Sequence, residues 1–234
     1  MITEIFSSIM GEGKYIGRRY IFIRFPKCNL NCIYCDERKN YKNRVEVEPG
    51  SGVFEEREIR DVKDIVKEVE RLKTDDLFAI SFTGGEPLLF DKLDELNKLL
   101  KKKGFRTHLE SNGTLPERLV FTDIGSIDIK LKGHIPNYKE VYNKELESIK
   151  ILYENGVDVY AKVVILSSNT VEEIEKVAKD LSEIGSILLC LQPVTPTKDI
   201  KGVSKKVIFK MMEKAGKYVD VMTTIQMHKY MKIL

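Results

Sequence analysis

Three cysteines crowded into one ten-residue stretch, KCNLNCIYCD at 27–36, carry the most specific chemistry in the chain. Cys28, Cys32 and Cys35 are separated by three and then two residues. Three soft thiol donors directly after an apolar strand can converge on one metal or cluster, and in a reducing compartment that reading outweighs a disulfide framework. A structural zinc site closes with four ligands, and no His or Cys follows within the next several residues to complete one. A cubane iron-sulfur cluster on three thiolates instead leaves one iron without a protein ligand, a place for a small chelating substrate. The fourth cysteine, Cys190, sits inside the apolar run ILLCLQPV at 187–194 and reads as a core residue, because free Cys is among the side chains most often buried.

The elements that must hold these thiols alternate along the chain. Apolar, β-branched runs at 20–25, 78–83, 105–111, 126–131, 158–166 and 187–194 read as buried strands. Between most of them the apolar spacing becomes helical. In 58–73 it falls on Ile59, Val62, Ile65, Val66, Val69 and Leu72, and 91–103, 138–155, 170–184 and 203–216 behave alike. Strand then helix, repeated about six times, predicts an α/β fold with a mostly parallel sheet curved into a partial or full barrel, one domain over 1–234. Residues 36–57 break the rhythm with charge, Gly and Pro and read as an inserted loop.

Composition narrows the function classes. Of 234 residues, 42% are hydrophobic and 32% charged, and no run approaches the roughly 18 apolar residues of a membrane span. The N-terminus lacks a cationic segment leading into an apolar stretch, so a cytoplasmic location is expected. Lys plus Arg 39 against Asp plus Glu 36 gives a formal charge of +3, without the basic excess of a dedicated nucleic-acid binder.

The cysteine triad with Tyr34 before its last member resembles the cluster motif of radical S-adenosylmethionine (SAM) enzymes, and Thr83-Gly84-Gly85-Glu86-Pro87 is similar to their methionine-binding segment. That resemblance implies a partial (β/α)6 barrel of radical SAM type, with the inserted loop after the cluster motif. It also implies a 4Fe-4S cluster on Cys28, Cys32 and Cys35 and SAM chelated at the open iron, as the source of an adenosyl radical. Gly84 and Gly85 would let the backbone approach SAM and Glu86 would pair with its ammonium group. Tyr34, Ser111, Asn112, Lys130 and Gln192 would complete the SAM site, at the strand ends where a barrel builds its active centre.

Further motifs resemble the 7-carboxy-7-deazaguanine synthase family over nearly the full length. They are EIFSSIMGEG at 4–13, Gly17, Phe22-Ile23-Arg24, ESNGTLP at 110–116, Leu191-Gln192-Pro193 and Gln226-x-His228-Lys229. The family implies conversion of 6-carboxy-5,6,7,8-tetrahydropterin to 7-carboxy-7-deazaguanine with loss of ammonia, on the way to queuosine or archaeosine in transfer RNA. Mg2+ is implied as an accessory ion, and an electron donor such as flavodoxin or ferredoxin and a homodimeric state are expected, with no direct nucleic-acid or membrane partner. For such a substrate Arg24 is the fork-shaped partner of the carboxylate, and Gly11 and Gly13 admit the ring edge. Glu12 would accept from the guanidine-like face and His228 bond an oxygen, with Met10 and Thr83 beside them. The plain alternatives are an ion-pair role for Arg24, a solvated Glu12 and a strand position for His228.

The sequence also departs from that family. Met10 stands where the family has Gln. Glu37 follows Asp36 where a Thr or Ser hydroxyl helps hold Mg2+, and a carboxylate at Glu37 is itself a hard donor that Mg2+ accepts. Asp128-Ile129-Lys130 replaces Ser-Pro-Lys and is closer to activases of glycyl-radical enzymes. An activase, or a non-catalytic iron-sulfur module, is therefore the alternative reading.

Overall fold

The computed structural model describes residues 2–35 and 42–233. Ten strands form one sheet: β1 (Glu4–Ile9), β2 (Arg19–Phe25), β3 (Arg44–Glu46), β4 (Phe54–Glu56), β5 (Leu77–Gly84), β6 (Thr107–Ser111), β7 (Ile124–Asp128), β8 (Asp158–Ile165), β9 (Leu188–Pro193) and β10 (Val221–Thr223). The helices are α1 (Val62–Arg71), α2 (Leu93–Lys102), α3 (Tyr138–Glu154), α4 (Val171–Ser182), α5 (Lys205–Ala215) and α6 (Met227–Met231). In the sheet the order is β4-β3-β1-β2-β5-β6-β7-β8-β9-β10. All pairs from β2 to β10 are parallel, whereas β1 pairs antiparallel with β2, from Glu4 opposite Arg24 to Ile9 opposite Arg19.

The sheet curls without closing. In a flat sheet one strand would stand between β6 and each of β2 and β8, a span of about 10 Å. Yet Tyr20 of β2 and Tyr160 of β8 both pack on His108 of β6, with ring centroids 5.7 and 6.0 Å away. Side chains alternate accordingly. On β2, Ile21 and Ile23 face α1 and α2 within a core that includes Val62, Ile65, Val69, Leu96 and Leu100, while Tyr20 and Phe22 join a separate inner cluster. On β8 and β9, Ala161, Val163, Leu189 and Leu191 pack with Ile149, Leu152, Val177 and Leu181 of α3 and α4. Each fully buried Leu or Ile contributes about 1.5–3 kcal/mol, so the helices clamp the outer face of the sheet and fix its curvature.

Local signals explain the helix starts. Asp61 caps α1 by accepting from the amides of Lys63 and Asp64, and Thr170 with Glu173 forms a reciprocal capping box at α4. The five predicted helices and six predicted strands are present to within a few residues.

The inserted loop needs correction. Within 42–57 the chain forms β3 and β4, which extend the sheet beyond β1. Glu46, 1% exposed, accepts from the amides of Ser7 (2.8 Å), Gly50 (3.1 Å) and Gly52 (2.8 Å), so a charge that suggests a solvated loop is the pin of a turn. Three-residue strands are too short to show alternation.

Candidate active site

A cavity of about 260 Å³ opens at the carboxyl ends of the parallel strands. Arg24, Thr83, Gly84, Ser111, Asp128, Lys162, Val164 and Gln192 reach it from β2, β5, β6, β7, β8 and β9. Gly85, Asn112 and Lys130 line it from the segments just beyond, Met10, Gly11 and Glu12 from the turn after β1, and Gln226 and His228 from the C-terminal segment.

The cysteine loop forms one wall. Cys28, Cys32 and Cys35 all line the cavity with Tyr34. The amide of Cys35 donates to the Cys32 carbonyl (3.1 Å) and that of Ile33 to the His134 carbonyl (3.1 Å). The Tyr34 ring stands edge-on against His134, with Lys130 Nζ 5.7 Å from its centroid. Asn112 Nδ2 lies 3.9 Å from Cys28 Sγ. Burial pushes the Cys28 and Cys32 thiols up, with the Lys130 charge opposing it. Among the described residues no three His, Cys, Asp or Glu side chains are already gathered as a metal site. The donor set nevertheless fits an iron-sulfur cluster, because three soft thiols face one cavity.

The glycine pair seats this wall. Gly84 has φ +101°, and a Cβ there would stand 2.4 Å from Arg24 Cγ. On Gly85 it would stand 2.0 Å from the Lys27 carbonyl oxygen. The close approach these glycines permit is to the strand end that carries the cysteines. Glu86 is 1% exposed and sits behind the cavity wall. It accepts from the amides of Leu88 (3.0 Å) and Asn112 (2.8 Å) and the hydroxyl of Ser111 (2.9 Å). Burial pushes its carboxyl up, against those three bonds. It ties the end of β5 to that of β6.

Charged groups fill the floor. Lys162 Nζ lies 2.8 Å from Glu12 Oε2 and 3.5 Å from Asp128 Oδ1, and Lys130 Nζ is 3.0 Å from Asp128 Oδ2. Gln226 Nε2 donates to Glu12 Oε1 at 2.8 Å. Burial works to raise the Glu12 carboxyl, but the charge and hydrogen bond of Lys162, the Gln226 bond and the field of His228 outweigh it and hold it at about 2. Burial likewise works against the Lys162 ammonium, and Asp128, Glu12 and Glu110 carry it well above its ordinary value.

Arg24 lines the cavity while ion-pairing with Glu4, whose side chain is fully buried and also bound by Arg44. His228 lies on α6, not a strand, and a Cβ on Gly11 would stand 2.1 Å from its Nδ1. The Met227 amide donates to the Gly11 carbonyl (2.9 Å), so the tail closes over the Gly11-Glu12-Gly13 turn. Gly13 itself is outside the cavity, with φ +67° against the Tyr160 hydroxyl. Glu37 lies outside the described residues.

A model of the radical SAM superfamily matches residues 22–181. A 7-carboxy-7-deazaguanine synthase from Methanocaldococcus jannaschii is 55% identical over 100% of both chains. The chain belongs to the 7-carboxy-7-deazaguanine synthase family. A second member, from Thermococcus kodakarensis, is 36% identical over 100% of this chain and 99% of its own. The crystal structure of QueE from Escherichia coli superposes with a TM-score of 0.65 at 21% identity, covering 97% of this chain and 93% of that one, which shows the shared fold. As a radical SAM family, the deazaguanine synthases use a 4Fe-4S cluster and SAM.

Within the family frame, sequence reasoning missed Lys162 and Glu110 and did not place Asp128 or Gln226 in the pocket. The signal was present: a charged residue at an inward step of an otherwise apolar strand, as in VYAKVVI at 159–165. Among the described residues no helix is long and apolar enough to cross a membrane.

Proposed function

We propose that this chain converts 6-carboxy-5,6,7,8-tetrahydropterin to 7-carboxy-7-deazaguanine with release of ammonia, a lyase reaction that supplies a deazaguanine for transfer RNA modification. The observation that carries the reading is the 55% identity, end to end, with a synthase of that name. Cys28, Cys32 and Cys35 are the proposed cluster ligands, with Tyr34, Ser111, Asn112, Lys130 and Gln192 around SAM. Bound there, the two cofactors supply an adenosyl radical able to take a hydrogen atom from an unactivated carbon.

The protein's part is binding, orientation and exclusion of water. Arg24 takes the substrate carboxylate. It lines the cavity while paired with Glu4, whose charge Arg44 also neutralises. Glu12, Met10, Gly11, Thr83 and His228 take the ring. Phe6, Phe22 and Val164 give the cavity its apolar wall. Together they must hold the reacting carbon in the near-attack range of about 3–3.5 Å. A small redox protein such as flavodoxin or ferredoxin is the proposed electron donor.

The test is an anaerobic assay of the reconstituted chain with SAM, reductant and carboxytetrahydropterin, following ammonia and the mass of the product. Stoichiometric ammonia and 7-carboxy-7-deazaguanine support the reading. Formation of 5′-deoxyadenosine without ammonia points instead to an activase, and neither product to a binding module.

A further inference from the structure

Lys162 stands out among the groups that family motifs leave without a role. Its side chain is 10% exposed, lies at an inward step of β8, and reaches two carboxylates on different elements: Glu12 at 2.8 Å and Asp128 at 3.5 Å. Stability alone is a poor reason for it, since an ion pair taken from water roughly breaks even against apolar packing. Its geometry is selective. Lys162 occupies Oε2 of Glu12 and Gln226 occupies Oε1, and a carboxylate has about four lone-pair positions, so each oxygen keeps one for a ligand.

We propose that Lys162 is a positioning residue of the substrate subsite: anchored on Asp128, it holds Glu12 ionised and aimed so that both oxygens accept from the paired N–H groups of a guanidine-like ring edge. The inference rests on the proposed function above and assigns this subsite its internal counter-charge. It also links the two halves of the cavity, because Asp128 is held in turn by Lys130 on the side read as the SAM site.

The consequence is a protonation state. The groups facing Glu12 are Lys162 from β8, Asp128 from β7, Glu110 from β6, and Gln226 and His228 from the C-terminal segment. With Lys162 removed, two further carboxylates and burial act on Glu12 without the largest of the interactions that oppose them, leaving the Gln226 bond and the His228 field. Glu12 then takes up a proton more readily, and once protonated its hydroxyl meets an N–H donor with another donor.

The experiment compares wild type, Lys162→Met, Lys162→Gln and Lys162→Arg as cluster-loaded enzymes, measuring KM and kcat for carboxytetrahydropterin from pH 6.5 to 8.5. The Gln variant keeps a hydrogen-bonding group of similar length and serves where the Met variant folds poorly. Expected is a KM raised roughly ten- to a hundredfold at pH 7 in both neutral variants, with the larger effect on KM than on kcat. That KM should fall as pH rises and Glu12 ionises, and Lys162→Arg should restore most of the wild-type value. In a Glu12→Gln background, Lys162→Gln should add little, because one interaction has already been lost. A KM unchanged, or raised equally at every pH, overturns the inference while leaving the proposed function standing. Absence of wild-type turnover overturns both.

Discussion

The interior of the sheet holds two layers built from the same strands two residues apart. Toward the amino ends Tyr20, His108, Tyr160 and Cys190 point inward, each 2% exposed or less, and fill the base of the curled sheet with aromatic and apolar contacts. Two steps along, Phe22, Glu110, Lys162 and Gln192 line the open, charged cavity. Backbone and curvature are common to both, so the difference lies in side chains alone. The lower layer is a plug that sets the shape of the sheet. The upper layer spends that shape on chemistry, placing three carboxylates, Glu12, Glu110 and Asp128, against Lys130, Lys162 and Arg24.

The sharpest way to break this contrast is through the thiols. Changing Cys28, Cys32 or Cys35 to Ala should abolish the cluster's charge-transfer absorption and all turnover, whereas Cys190→Ala, in the plug, should retain both. Loss of the cluster in the Cys190 variant would mean that the layers are not separate in function. Next in size, Tyr160→Ala should cost about 3–5 kcal/mol of stability by opening a hole in the plug, lowering Tm by roughly 6–20 °C in a thermal melt. Arg24→Ala should leave the fold in place, because Arg44 still meets Glu4, and lower kcat/KM by roughly ten- to a hundredfold, the equivalent of about 1.5–3 kcal/mol for a charge-assisted bond. An equal fall in Tm and no fall in kcat/KM would move Arg24 from the substrate to the scaffold.

The smallest effects sharpen the contrast through pH. His108 is fully buried with no hydrogen-bond partner at either ring nitrogen among the described residues. Burial, with Lys162 adding to it, pushes the imidazole down to about 3. Between pH 6.5 and 3 the unfolded chain binds the extra proton, so this group removes stability as pH falls. Glu145 supports the cavity by accepting from the Lys130 amide (3.0 Å), and burial pushes its carboxyl up to about 8. There the native state holds the proton, and stability is lost as pH rises from about 4.5 to 8. Melting curves should therefore show His108→Leu gaining on wild type toward acid and Glu145→Gln gaining toward pH 8, each by a few degrees. Parallel curves across that range would contradict the burial of either group.

Legibility in the sequence followed the length of the signal. The six strands β2 and β5 to β9 announced themselves as apolar, β-branched runs, helices of ten or more residues by period, and the cluster loop by cysteine spacing, whereas β1, six residues of mixed polarity (EIFSSI), went unread as a strand. Residues 42–57 did not, because Glu46 satisfies amides from inside the fold and two three-residue strands carry no pattern. Glu86 was visible as part of a motif, but its three internal bonds follow only from the meeting of β5 and β6. Lys162 was hidden for a different reason: from the sequence, one lysine in an apolar strand does not disclose that Glu12, 150 residues away, meets it across the curled sheet.

The most direct measurement is a crystal structure of the cluster-loaded protein with SAM and carboxytetrahydropterin. The N–H edge of the ring should lie on the Glu12 carboxylate with Lys162 still on Oε2, the substrate carboxylate should lie on Arg24, and the carbon bearing it should face SAM in the upper layer. A pterin bound with its carboxylate away from Arg24 and its ring edge away from Glu12 would contradict the account.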